Sequence, residues 1–66
     1  MSEVVKYFSC EDRESRTEIL WSLGAAEANP KRSHAGSVEA SFTNEYALVA
    51  WAGTHRKLFG YVPSEV

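Results

Sequence analysis

Cysteine is almost missing from this chain. Cys10 is the only one, so no internal disulfide can form, and the sequence suits a reducing, cytoplasmic setting. Histidine is scarce too: His34 and His55 alone could join Cys10 as soft ligands, and no C-x-x-C or H-x-x-x-H spacing links them, so neither a metal nor a cofactor is expected. Long hydrophobic runs are lacking. None approaches the roughly 18 residues that a membrane span needs, and the opening MSEVVKYFSCEDRE reads as neither a signal nor a transit peptide; no membrane partner is expected. The chain also has no P-loop, no G-x-G-x-x-G, no H-E-x-x-H and no EF-hand pattern, which removes the common signatures of nucleotide, zinc and calcium chemistry.

What is present points to a folded globule. Hydrophobic residues make up 44% of the 66 positions and the net charge is −2, far from the composition of a disordered chain. A chain this short is one small domain, residues 1–66, and buries only about 60% of its unfolded surface. With an internal disulfide excluded and a structural zinc not expected, good packing or self-association must supply the stability, and a homodimer is one of those two routes. Residues 1–30 carry three basic and six acidic side chains, and residues 31–66 carry four basic and three acidic. The amino half is therefore acidic and the carboxyl half mildly basic, a difference too small to demand a nucleic-acid or membrane partner.

Read in order, Glu3 to Phe8 alternates β-branched and aromatic residues and predicts a strand over about 3–8. Ser9 and Asp12 form an S-x-x-D capping box that predicts a helix over about 10–24. In that helix Ile19, Leu20 and Leu23 make an apolar stripe and Trp21 flanks it; Gly24 is placed for a left-handed C-cap, or the helix runs on through Ala25, Ala26, Glu27 and Ala28, because a glycine inside it costs only about 1 kcal/mol. Pro30 and its polar neighbours mark a loop over about 25–36. Val38, Ala40 and Phe42 then alternate with Glu39, Ser41 and Thr43, a half-buried strand. Tyr46 to Ala52 is apolar on both parities, as in a central strand. Asn44 and Gly53 suit turns, Lys57 to Val62 reads as a further strand, and Gly60 as a bulge. The last segments form a three-stranded meander over about 37–63. The expected fold is α+β in the order β-α-β-β-β, one helix packed on a mainly antiparallel four-stranded sheet. One helix covers one face only, so aromatic residues on the other face would form an exposed apolar patch.

Candidate chemistry is thin. Cys10 sits at the expected helix start, where a thiol is activated, yet no histidine is close in sequence and a small buried residue explains it. Glu11, Asp12, Glu14 and Glu18 read as a solvated helix face rather than an acid–base pair. The sequence therefore predicts a non-enzyme: a small regulatory protein acting through protein–protein interaction, as an inhibitor or adaptor of a larger partner. Its expected anchors are Trp51, Phe59, Tyr61 and Arg56, because aromatic residues and arginine dominate interfaces. The alternative is a weak single-stranded nucleic-acid module using two basic clusters, Lys31 and Arg32 with His34, and His55, Arg56 and Lys57.

Asn44, Ala47 and Val49, followed by Gly60, Tyr61, Val62, Pro63, Glu65 and Val66, resemble the closing hairpin of HIRAN domains, a family that binds nucleic-acid ends. The resemblance spans residues 44–66, and the helix expected at 10–24 departs from that all-β family. It implies a terminal hairpin and adds to the nucleic-acid alternative.

Overall fold

In a computed structural model, which describes residues 3–26, 28–34 and 36–66 and every side chain among them except those of Arg32 and His34, the alternating amino segment is strand β1, Val4–Ser9. Helix α1 follows as Arg13–Ala25. Its N-cap is Asp12 rather than Ser9: the Asp12 carboxylate accepts from the Ser15 backbone N–H at 2.8 Å, while Ser9 is the last residue of β1. D-x-x-S and S-x-x-D overlap here, and the strand takes the serine. The helix also runs through Gly24, which is not left-handed; the C-cap is Ala26, with φ −93°.

The expected loop over 25–36 contains strand β2, Asn29–His34. It pairs antiparallel with β3, Ser37–Phe42, across a tight connection containing Gly36 at φ +92°. The register breaks between Pro30 and Arg32. Proline has no N–H to give to a ladder, and it is tolerated because β2 is an edge strand. The sheet order is β1-β3-β2, with β3 antiparallel to both neighbours.

The larger correction concerns the carboxyl half. The expected third and fourth strands are one helix, α2, Glu45–Phe59. Asn44 is not a hairpin residue; it caps α2 by accepting from the Ala47 N–H at 2.8 Å. Glu45 lies in the first turn and Arg56 and Lys57 in the last, the charge order a helix dipole favours. Gly60 is not a bulge; at φ +88° it ends the helix as a left-handed cap. Gly53, expected in a turn, lies inside the helix. The chain is thus an α+β domain of two helices and a three-stranded antiparallel sheet, and the four-stranded β-α-β-β-β order and the meander over 37–63 do not hold. Neither helix is long and apolar enough to cross a membrane among the described residues.

Both helices cover the same face of the sheet. Phe8, Val38, Ala40 and Phe42 from the strands meet Ile19 and Leu23 of α1 and Trp51 of α2 in one buried cluster that also takes in Cys10. The other sheet face carries Glu39, Ser41, Val5 and Tyr7, so it is mostly polar and its only aromatic among the described side chains is Tyr7. The carboxyl tail returns along β1: Ser9 N–H donates to Ser64 O and Val66 N–H to Tyr7 O, each at 2.8 Å, and Pro63 is buried while the side chains of Ser64, Glu65 and Val66 stay exposed. The tail therefore covers the free edge of β1.

Candidate functional site

The four expected anchors do not share a surface. Trp51 is fully buried, its ring centroid 4.6 Å from that of Phe8 and 5.5 Å from that of Phe42. Its indole N–H donates to Ser22 Oγ at 2.8 Å, and that hydroxyl donates to Ile19 O at 2.9 Å. A buried Trp with its polar atom satisfied by the neighbouring helix is a core residue. Arg56 is exposed on α2, Tyr61 is 41% exposed, and Phe59 is half-buried between the helices.

Phe59 leads to a concave apolar surface at the helix junction. Trp21 and Thr17 of α1 face Leu58 and Phe59 of α2 across a cleft of about 340 Å³, with Glu14 and Glu18 along its α1 side. Helical spacing explains the grouping. Thr17 and Glu18 lie three and four residues after Glu14, and Trp21 lies four and three residues after them, so the four share a face of α1. Trp21 and Phe59 meet edge to face at 6.4 Å, yet Trp21 remains 59% exposed and Leu58 46%. Exposing that much indole and aliphatic surface in one place is costly unless something covers it.

The two glutamates also border a second depression, of about 450 Å³, on their other side, where Glu11, Ser15, Tyr61 and Ser64 contribute to the walls. Tyr61 O–H donates to Glu18 Oε1 at 2.7 Å and ties the tail to α1. That hydrogen bond to a carboxylate, helped by burial, raises the Tyr61 pKa above its ordinary value. The Asp12 carboxyl lies below its usual range because the Ser15 backbone N–H stabilises the charged form. The surface around α1 therefore combines an apolar slot with a carboxylate ridge, Glu11, Glu14 and Glu18. Thr17 is the only hydroxyl among the residues that line the slot, and the carboxylates beside it are those of Glu14 and Glu18.

The residues of the two basic clusters occupy separate elements. Lys31, on edge strand β2, is ion-paired with Glu3 at 3.2 Å; a hydrogen bond from Ser41, and after it the Lys31 ammonium, holds Glu3 below its ordinary pKa. The side chains of Arg32 and His34 lie outside the described set. Arg56 and Lys57 are exposed at the end of α2, whereas His55 is fully buried. The His55 Nδ1 lies 2.8 Å from Tyr61 O. A carbonyl only accepts, so Nδ1 carries the proton, and Nε2 is left buried without a partner. The imidazole thereby fastens the tail to α2 and is not a surface contact. Among the described residues no three His, Cys, Asp or Glu side chains gather as a metal site.

Reading α2 as strands hid Leu58 from the site and divided Phe59 from Trp21. The available signal was the helical period of Ala47, Leu48, Trp51, Ala52, His55 and Phe59. Comparison of the chain with protein-family models, curated proteins and solved structures gives no match, and the resemblance to HIRAN domains loses its terminal hairpin because residues 45–59 are helical.

Proposed function

We propose that the protein is a small non-enzymatic interaction module whose working surface is the cleft between α1 and the last turn of α2. The observation that carries this reading is Trp21, more than half exposed at the wall of an apolar slot. Trp is the residue most enriched among interface anchors, and a slot beside it gives a partner side chain somewhere to go. The ridge Glu11, Glu14 and Glu18 defines the partner's charge. It favours a short peptide segment of a larger protein that places one apolar side chain in the slot and lysine or arginine along the glutamates. The same carboxylates repel a phosphate backbone from this cleft. A module of this size would act by occupying such a segment, as an inhibitor or an adaptor does. A reducing, cytoplasmic setting suits the free and buried thiol of Cys10.

The test uses a short peptide of alternating leucine and lysine as the probe. Trp21 emission shifts to the blue on binding, while Trp51, already buried, does not respond. Trp21→Ala weakens binding by about tenfold, or ~1.4 kcal/mol. Glu14→Gln with Glu18→Gln flattens the salt dependence. Equal affinity of the Trp21→Ala protein, or equal binding of a leucine–glutamate peptide, would sink the reading.

A further inference from the structure

The outer face of α2 is apolar in a way that the chain itself leaves unexplained. Between Glu45 and Arg56 the helix holds no Lys, Arg, Asp or Glu. Its inner face, with Trp51 and His55 buried and Ala47, Leu48 and Ala52 packed against the core or partly covered, is accounted for. Its outer face presents Tyr46, 81% exposed, Val49, 66% exposed, and the exposed Ala50 and Gly53. A helix that is apolar all round is ordinarily covered all round. Tyr46, Ala50, Gly53 and Lys57 follow one another at steps of four, three and four, the spacing of a helix–helix seam.

Two further observations bear on what would fit that face. Gly53 lies inside the helix without a positive φ, and a Cβ added there would meet nothing within 4 Å. Neither the backbone nor the packing of one chain calls for glycine at this position, although it weakens a helix interior. The same holds of Gly24 in α1, so the glycine does not by itself demand a neighbour, but beside the exposed Ala50 it leaves room for a second helix to cross closely. The charges set the direction: Glu45 is at one end of α2, and Arg56 and Lys57 are at the other. Two copies laid antiparallel bring Glu45 of each opposite the basic pair of the other at both ends of the contact, with opposed helix dipoles side by side. A parallel arrangement would bring like charges together.

We infer that the protein self-associates through α2, two copies packing antiparallel about a two-fold axis with Ala50 and Gly53 at the crossing and Tyr46 of each copy over Lys57 of the other. The same patch serves both partners, so the contact closes as a dimer and does not propagate. Tyrosine over the lysine ammonium adds a cation–π contact. A helix of 15 residues is only about 22 Å long, which places the buried area at the low end of specific interfaces and makes the dimer weak. Leu58 and Phe59 are not on this seam, so the inference stands apart from the peptide cleft.

Sedimentation equilibrium of the full chain from about 5 µM to about 1 mM decides the matter. The expected mass rises from 7.4 kDa towards twice that value with concentration. Ala50→Arg, on an exposed position, raises the dissociation constant by about tenfold or more while circular dichroism stays unchanged. Lys57→Glu weakens the dimer, and adding Glu45→Lys to it restores association. Trp21→Ala leaves the mass curve as it was, which separates this surface from the cleft. A constant 7.4 kDa at all concentrations, an undiminished dimer in Ala50→Arg, or a charge swap without rescue overturns the inference. Binding of α2 to phosphatidylcholine vesicles by a protein that stays monomeric would overturn it in favour of a lipid surface.

Discussion

Asp12 shows how much one exposed side chain can do for a small fold. Its carboxylate caps α1 through the Ser15 N–H, and that hydrogen bond lowers its pKa in the folded chain. A carboxyl whose folded pKa lies below its unfolded value, about 3.9, stabilises the fold above that pH, and the contribution is lost as pH falls through the folded value. Asp12→Asn keeps the capping oxygen but cannot titrate. The drop in urea midpoint between about pH 5 and about pH 2.5 should be smaller in Asp12→Asn than in the wild type; parallel curves would refute this role. Glu3 is lowered in the same sense and contributes to both proteins alike. At the residue scale sequence reading also misplaces an anchor, because Trp51 is buried. Apolarity marks Trp51 and Trp21 equally, but only the structure shows that Ser22 waits for the Trp51 indole while Trp21 is left at the surface. Glu14 is exposed and Glu18 is half-buried with its carboxylate accepting from the Tyr61 O–H, and their position beside an apolar slot depends on α2, whose apolar residues on both parities fit a strand as well as a helix.

The elements divide by how local their signals are. β1, β3 and α1 were legible because alternation or a cap stood next to a clear apolar pattern. β2 was not: Asn-Pro-Lys-Arg-Ser-His has no alternation and almost no β propensity, and it is a strand because the tight connection at Gly36 folds it against β3. α2 failed for a different reason. An apolar run on both parities fits a buried strand and a buried helix alike, and the punctuation that separates them, Asn44 before and Gly60 after, has a meaning in either reading. The structure resolves it through the Asn44 cap, the Arg56 and Lys57 last turn and the left-handed Gly60. If α2 depends on that cap, Asn44→Ala should lower stability by about 1 kcal/mol in a denaturant titration with an unchanged slope. A loss below a few tenths would mean that tertiary packing alone holds the amino end of the helix.

Across the whole molecule, the carboxyl tail acts as a fastening. Ser64 and Val66 bond to the backbone of β1, Glu65 pairs with Lys6 at 3.4 Å, His55 holds Tyr61 O, and the Tyr61 hydroxyl reaches Glu18. An unpaired strand edge is a template for other chains. Removing residues 64–66 should expose the Ser9 amide to fast hydrogen exchange and make concentrated protein prone to strand-to-strand aggregation. Slow exchange at Ser9 in the shortened chain would show that the edge is protected by something else. The order of the sheet has a consequence for how the protein is made. β1 and β2 flank β3 without touching one another, so β1, though synthesised early, has its Val4 and Phe8 opposite Phe42 and Val38. Until Phe42 has left the ribosome, the first strand has nothing to pair with and α1 has no sheet to lie on. The nascent chain must stay open through most of its length and then close around its keystone strand in one step, a moment when chaperones and proteases compete for the same exposed segment.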